Sequence, residues 1–152
     1  MVLNHDRALL KKIAATCREV YGERLVSLAV FGSVGRGTAR PDSDIDLLVI
    51  VEHLSPRRME RVREFAAVEK RFGELELSPI LKTPAEICQG SPLLLDMVED
   101  AVILYDRDGF LAQELSRLRQ KLTLLGAKRI WQGNAWYWDL KPNYTPGEIF
   151  EV

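Results

Sequence analysis

Apolar positions divide the chain into short continuous runs and longer segments in which they recur at helical spacing. The runs Leu25–Phe31 and Ile45–Val51 contain few polar residues and predict strands that are buried on both faces of a sheet. Apolar residues three and four positions apart predict helices over residues 6–21, 56–72 and 108–126. Asp108 is the expected N-cap of the last of these helices.

The remaining segments complete a mixed architecture. Residues 74–81 alternate between apolar and polar side chains and predict a third strand. Residues 93–99 predict a further helix and residues 101–105 a short fourth strand. Because strands alternate with helices, we expect an α/β or α+β fold. We expect residues 1–126 to form the domain and residues 127–152 to be its C-terminal hairpin and tail.

All three tryptophans lie in residues 130–138 around a Gln-Gly-Asn turn, which predicts a β-hairpin. Trp136 and Trp138 share one strand face of this hairpin, and Trp131 lies across from them. Three roles fit the rings: closing the core as a lid, stacking on a nucleotide base, or forming an interface with another protein.

Composition is typical of a globular protein and gives no electrostatic preference for nucleic acid. Hydrophobic residues make up 47% and charged residues 28% of the 152 positions, and the formal net charge is −1. No stretch approaches the roughly 20 apolar residues needed to cross a bilayer, and the N-terminus lacks the apolar core of a signal peptide. We therefore expect a cytoplasmic protein without a nucleic-acid partner, in which Cys17 and Cys88 are reduced and structural.

Candidate chemistry is concentrated directly after the first apolar strand. Phe31 is followed by Gly32 and Ser33, and the glycines at positions 35 and 37 permit tight turns. Such a loop brings backbone N–H groups close to phosphate oxygens, and Ser33 adds a hydroxyl. The segment from Gly32 to Pro41 is therefore predicted to be a phosphate-binding loop.

Two aspartates begin the second apolar strand. Asp44 and Asp46 are two residues apart, and the strand period places both carboxylates on one face. Adjacent carboxylates repel each other unless a cation neutralises them, and Mg²⁺ accepts few carboxylates together with phosphate oxygens. A carboxylate pair beside a phosphate-binding loop favours phosphoryl or nucleotidyl transfer.

Gly32-Ser33, followed after ten residues by Asp44-Ile45-Asp46, resembles the signature of the polymerase-β-like nucleotidyltransferase superfamily, and in particular of its minimal nucleotidyltransferases. The resemblance implies a small mixed β-sheet with helices on one side. It implies that Gly32 and Ser33 contact the triphosphate of ATP or another nucleoside triphosphate. It further implies that Asp44 and Asp46 bind two Mg²⁺ or Mn²⁺ ions, through which Asp44 also helps to bind the nucleotide. A third carboxylate on a neighbouring strand normally completes the site.

The predicted third strand offers two glutamates for that third carboxylate. Glu74 and Glu76 share one face, and Glu76 is the better candidate because it lies deeper in the strand. Two alternatives remain: both glutamates face solvent and the catalytic base is missing or supplied otherwise, or Pro79 makes the strand an edge or bulged strand and changes which side chain faces the metal. Arg36 and Arg40 are candidates for stabilising the leaving pyrophosphate, or they are solvated loop residues.

The resemblance also implies a partner. Minimal nucleotidyltransferases often pair with a helical HEPN-type toxin ribonuclease and act as antitoxins that transfer AMP from ATP to a tyrosine of the toxin. A chain of 152 residues is expected to leave no room for an acceptor-binding domain, which fits an acceptor on another protein. One alternative is a catalytically weak domain that neutralises its partner by contact. Another is a small-molecule enzyme resembling aminoglycoside nucleotidyltransferases, with a homodimer partner supplying the acceptor pocket.

Overall fold

The computed structural model describes residues 2–37, 43–90, 92–133 and 135–142, with side chains from Arg7 onward. No helix in this described part is long and apolar enough to span a membrane. Every predicted helix and strand has a counterpart, although several bounds differ. The helices and strands are α1 Val2–Tyr21, β1 Leu25–Phe31, α2 Gly32–Arg36, β2 Ile45–Val51, α3 Arg58–Glu69, β3 Leu77–Lys82, α4 Pro84–Cys88, α5 Leu93–Met97, β4 Val102–Asp106, α6 Phe110–Leu125, β5 Lys128–Gln132 and β6 Ala135–Asp139.

The two apolar runs form the centre of a four-stranded sheet with the order β3-β2-β1-β4. β1 pairs antiparallel with β2 and β4, whereas β2 pairs parallel with β3, so the sheet is mixed. Every residue of β1 is buried, and in β2 only Asp46 is partly exposed. Burial on both faces is thus confirmed for these strands, and it explains why their sequences lack the alternation of a half-exposed strand.

Helices cover both faces of this sheet, which corrects the implication that they lie on one side. On one face, α1 and α3 bury Ile13 and Phe65 against Leu28. On the other face, α5 and α6 bury Met97 and Leu111 in a second cluster. Both central strands therefore send side chains into two separate cores.

The two cysteines are free, and their surroundings differ. Cys17 lies on the buried face of α1, where burial raises the pKa of its thiol to about 12. The thiol is therefore protonated at neutral pH and acts as a small apolar side chain, as predicted. Cys88, at the end of α4, is exposed.

The third strand begins later than predicted. β3 starts at Leu77, so Glu74 and Glu76 both precede it. The chain first turns at Gly73, which has a φ of 57°, and the Leu75 N–H donates to the Phe72 carbonyl. The hydrogen bonds of a local turn thus hold a segment whose alternating sequence is equally typical of a strand.

The start of α6 also differs from the prediction. Asp106, at the end of β4, caps the helix, because its carboxylate accepts the N–H groups of Leu111 and Ala112 at 2.9 Å each. Asp108, the predicted cap, instead lies in a short 3-10 turn with a φ of 56°. Asp106 also accepts a 2.6 Å hydrogen bond from the fully buried Ser27 hydroxyl, which ties the helix to β1.

β5 and β6 form the predicted hairpin. Arg129 pairs with Trp138 and Trp131 with Trp136, so all three tryptophans and Arg129 share one face. Trp138 packs against the second core cluster, and its indole N–H donates to the Leu95 carbonyl at 2.9 Å. Core closure thus describes Trp138, whereas Trp131 remains half exposed.

Candidate functional site

A short helix stands where the phosphate-binding loop was predicted. The chain passes from β1 directly into α2 at Gly32, which has a φ of 64°. Ser33 is the second residue of the helix, and its carbonyl accepts the N–H of Gly37, which ends the helix in the left-handed region. Arg40 and the rest of residues 38–42 lie outside the described residues, so its proposed role stays a prediction.

Gly32 lies directly against the carboxylate of Asp46. A Cβ atom added to Gly32 would lie 2.2 Å from Asp46 Oδ2. The two strands force this proximity, because Phe31 pairs with Asp46 across the β1–β2 ladder. A residue without a side chain is therefore required for α2 to begin beside this carboxylate.

Asp44 and Asp46 lie together at the beginning of β2, as the strand period predicts. Asp44 is exposed and directly precedes the strand, whereas Asp46 is partly buried. Burial raises the pKa of the Asp46 carboxyl, the negative charge of Asp44 raises it further, and Arg36 opposes both. The pair thus concentrates negative charge that a divalent cation would neutralise.

The parallel ladder between β2 and β3 decides which third side chain joins the pair. Ile45 pairs with Leu77 and Asp46 with Ser78, so Glu76 comes beside Asp44. A hydrogen bond with the Asp44 carboxylate and the charge of Asp44 raise the pKa of the Glu76 carboxyl. The structure therefore brings Glu76 to the pair, whereas Glu74 lies in the preceding turn.

Ser78 is a site residue that the sequence alone did not single out. Its hydroxyl oxygen lies 3.5 Å from Asp44 Oδ2, and its backbone pairs with Asp46. Alternation identifies which residues of β3 share a face, but it does not fix their register against β2. The contact of Ser78 with the aspartate pair therefore depends on how the two strands pair, and not on the sequence pattern of either strand alone.

The carboxylates suit a magnesium site that the substrate completes. Within the described residues, no group of three or more histidine, cysteine or acidic side chains lies close enough to hold a metal ion. The carboxylates instead meet in pairs: Asp46 with Asp44, and Asp44 with Glu76. Mg²⁺ is commonly bound by one or two carboxylates, with water and substrate phosphate as its other ligands, so the pair Asp44 and Asp46 fits it.

Arg36 lies between two carboxylates from different parts of the fold. On one side, its positive charge partly opposes the rise in the pKa of the Asp46 carboxyl. On the other side, its Nη1 lies 3.4 Å from Oδ2 of Asp100, and its side chain is 28% exposed. The guanidinium is therefore close enough to the carboxylate pair to act on a phosphate bound there.

Comparison with known proteins agrees with this fold. The family described as nucleotidyltransferase domain matches residues 10–105. A Methanocaldococcus jannaschii protein, provisionally named a protein adenylyltransferase, is 37% identical over 120 residues, which cover 73% of this chain and 79% of that protein.

Two of the solved structures that share this fold are toxin–antitoxins. A toxin–antitoxin crystallised with AMP-PNP superimposes with a TM-score of 0.51 at 17% identity, over 77% of this chain and 92% of that one. A mutant of the toxin–antitoxin MntA-HpeT gives a TM-score of 0.50 at 15% identity with the same two coverages. The family match and the relative agree with the fold: the chain is a transferase that belongs to the nucleotidyltransferase domain family.

Proposed function

We propose that the chain transfers AMP from ATP, with Mg²⁺ or Mn²⁺, to a hydroxyl group on a partner protein. The observation that carries this proposal is the contact between Gly32 and Asp46, which joins the start of α2 to the carboxylate pair. Nucleotidyl transfer requires one part of the site for the phosphates and one for the cation, and the two must lie close enough to contact the same triphosphate. The relative provisionally named a protein adenylyltransferase supports both AMP and a protein acceptor.

The described residues take distinct roles in this proposal. Gly32 and Ser33 contact the triphosphate through backbone N–H groups and the Ser33 hydroxyl. Asp44 and Asp46 hold the cation, and Arg36 stabilises the negative charge that develops on the leaving pyrophosphate. The bound cation supplies charge neutralisation at the phosphates and makes the attacking hydroxyl more acidic.

Glu76 is the proposed proton acceptor. The oxygen of the acceptor hydroxyl attacks the α-phosphorus, the bond to the bridging oxygen of the β-phosphate breaks, and pyrophosphate leaves. The hydroxyl proton passes to the carboxylate of Glu76. The β2–β3 ladder places Glu76 beside Asp44, so its carboxylate lies next to the carboxylate pair and can accept the proton of a hydroxyl that arrives there.

We propose a helical HEPN-type toxin as the partner and one of its tyrosines as the acceptor, so that the chain acts as an antitoxin in the cytoplasm. The solved toxin–antitoxin structures share the fold of this chain, and one of them holds AMP-PNP. The exposed position of Glu76 is compatible with an acceptor that arrives from another protein.

Incubation with α-labelled ATP, Mg²⁺ and the product of the neighbouring gene tests this function. Label is expected on the partner with the unmodified chain, and it is expected to be lost with Asp44→Asn or Asp46→Asn. Asp108→Asn is the matched control, because Asp108 is an exposed aspartate outside the site. A label that persists in both site variants would refute the assignment of the carboxylates.

Neutralisation by contact alone is the second candidate function. It is favoured by the pairwise arrangement of the carboxylates, because the described residues form no group of three that could hold a metal without substrate. The double variant Asp44→Asn, Asp46→Asn distinguishes the two candidates. A binding module would still suppress the partner's toxicity in this variant, whereas an enzyme would not.

A further inference from the structure

Asp100 links the site to the C-terminal hairpin. On one side, its Oδ2 lies 3.4 Å from Nη1 of Arg36 in α2. On the other side Arg129 of β5 forms two hydrogen bonds with it, Nη1 to Oδ1 at 3.2 Å and Nη2 to Oδ2 at 2.6 Å. The Asp100 side chain is only 9% exposed, so water contributes little to balancing its charge.

Arg129 is held firmly in this position. Its guanidinium carbon lies 4.8 Å from the ring centroid of Trp131 and 4.1 Å from that of Trp136. Aromatic faces attract a guanidinium, and its planar shape suits both stacking and paired hydrogen bonds to a carboxylate. Burial raises the pKa of the Asp96 carboxyl, and the positive charge of Arg129 partly opposes this rise.

Asp100 cannot easily move away from α2. A Cβ atom added to Gly35 would lie 2.4 Å from the Asp100 carbonyl oxygen, so the two backbones are in close contact. The Asp100 carboxylate therefore stays within reach of Arg36, whatever else binds to that arginine.

The geometry points to Arg129 as a positioning residue for Arg36. Because Arg129 satisfies both oxygens of Asp100, the carboxylate holds Arg36 only through the longer 3.4 Å contact, and Arg36 remains available to a phosphate. This inference rests on the proposed nucleotide site. The hairpin lies beyond residues 10–105 of the family match, whereas Arg36 and Asp100 lie within them.

Removing the charge of Arg129 should turn Asp100 into a competitor for Arg36. In Arg129→Gln the buried Asp100 carboxylate retains Arg36 as its cationic partner and binds it more tightly. ATP would then have to break a stronger ion pair, and we expect its affinity to fall about five- to tenfold. In the double variant Arg129→Gln, Asp100→Asn the neutral amide no longer competes, so affinity should recover.

Equilibrium titration of a fluorescent ATP analogue in the presence of Mg²⁺ tests this inference, with thermal melting to establish that each variant is folded. Lys128→Gln is the matched control, since it removes an exposed positive charge one residue away. Arg129→Lys preserves the charge and should weaken binding less than Arg129→Gln. A merely structural role for Arg129 would instead make the double variant bind at least as weakly as Arg129→Gln.

The possible results separate this inference from the proposed function. If the unmodified chain does not bind the ATP analogue, the proposed function fails and the role of Arg129 fails with it. If the unmodified chain binds and Arg129→Gln binds as Lys128→Gln does, only the role of Arg129 is overturned. Failure of Asp100→Asn to rescue Arg129→Gln would overturn it equally. If Arg129→Gln does not fold, Arg129→Lys and Asp100→Asn are compared instead. Asp100→Asn removes the competing charge, so an ATP affinity of Asp100→Asn below that of Arg129→Lys would overturn the role of Arg129.

Discussion

Replacing Gly32 by alanine tests the contact on which the proposed site depends. The substitution changes two things at once. A side chain must adopt the left-handed backbone conformation, with a φ of 64°, and its Cβ would lie 2.2 Å from Asp46 Oδ2 and 3.2 Å from Asp46 Cγ. The first change stresses the backbone, whereas the second displaces the carboxylate that we propose binds the cation.

The two effects have different magnitudes. The left-handed conformation costs an alanine about 1–2 kcal/mol of unfolding free energy. The clash involves the end of a side chain rather than backbone, so rotation of Asp46 relieves most of it and adds on the order of 1 kcal/mol. That rotation moves the carboxylate by about 1 Å or more, and a misplacement of this size costs roughly a hundredfold in rate.

Gly22→Ala provides the matched control. Gly22 has a φ of 61°, and a Cβ atom added there meets nothing within 4 Å, so this variant experiences the backbone strain alone. Urea denaturation should show similar losses of stability for the two variants, with Gly32→Ala slightly the less stable. Transfer of label from ATP should be normal in Gly22→Ala and nearly absent in Gly32→Ala. Equal transfer in the two variants would show that the position of Asp46 against α2 does not matter for the reaction.

Three further predictions concern stability. Gly35→Ala places a Cβ 2.4 Å from the Asp100 carbonyl oxygen, which is backbone and cannot rotate away; urea denaturation should show a loss of about 1–3 kcal/mol, and no loss would contradict the close contact. Asp106→Ala removes the cap of α6 and leaves the Ser27 hydroxyl without its carboxylate partner. Thermal melting should show that the variant loses about 2–3 kcal/mol of unfolding free energy, far more than Asp108→Ala loses. The ion pair with Arg61 lowers the pKa of Glu86 to about 2 from an ordinary 4.5, so its stabilising effect is present above that ordinary value and is lost as the pH falls toward the lowered one. Glu86 is more than a third exposed, so Glu86→Gln should cost only about 1 kcal/mol at neutral pH, a difference that shrinks on acidification and that urea denaturation across that pH range would detect.

The central strands and the aspartate pair could be predicted because each depends on a local rule. β1 and β2 are apolar at all but one position each, Ser27 and Asp46, since both faces of each strand are covered. Among the described residues, no other strand is buried in this way. Asp44 and Asp46 share a face because the strand period requires it. These features need no knowledge of which strand lies next to which.

Some missed features had a recognisable local signal. α4 was not predicted, although Thr83 and Glu86 have the spacing of a capping box and Pro84 lies in the first turn. The Thr83 hydroxyl accepts the Glu86 N–H at 3.2 Å, and the Glu86 carboxylate accepts the Thr83 N–H at 2.8 Å. At α6 two aspartates were available as caps. The tertiary contact with Ser27 lies with Asp106, and a local pattern that favours Asp108 does not include that contact.

The sequence favoured Glu76 over Glu74 as the third carboxylate, but the position of Glu76 beside Asp44 depends on strand pairing rather than on pattern. Glu74 and Glu76 repeat the same alternation, but the turn after Gly73 delays β3 until Leu77. The parallel register then sets Glu76 beside Asp44 and leaves Ser78, which has no charge, beside Asp46. β3 is an edge strand and Glu76 is exposed, so the proposed base reaches the site from the solvent side of Asp44. A hydroxyl that gives up its proton there must approach across this open edge, which a side chain of a second protein can do without any acceptor pocket in the chain itself.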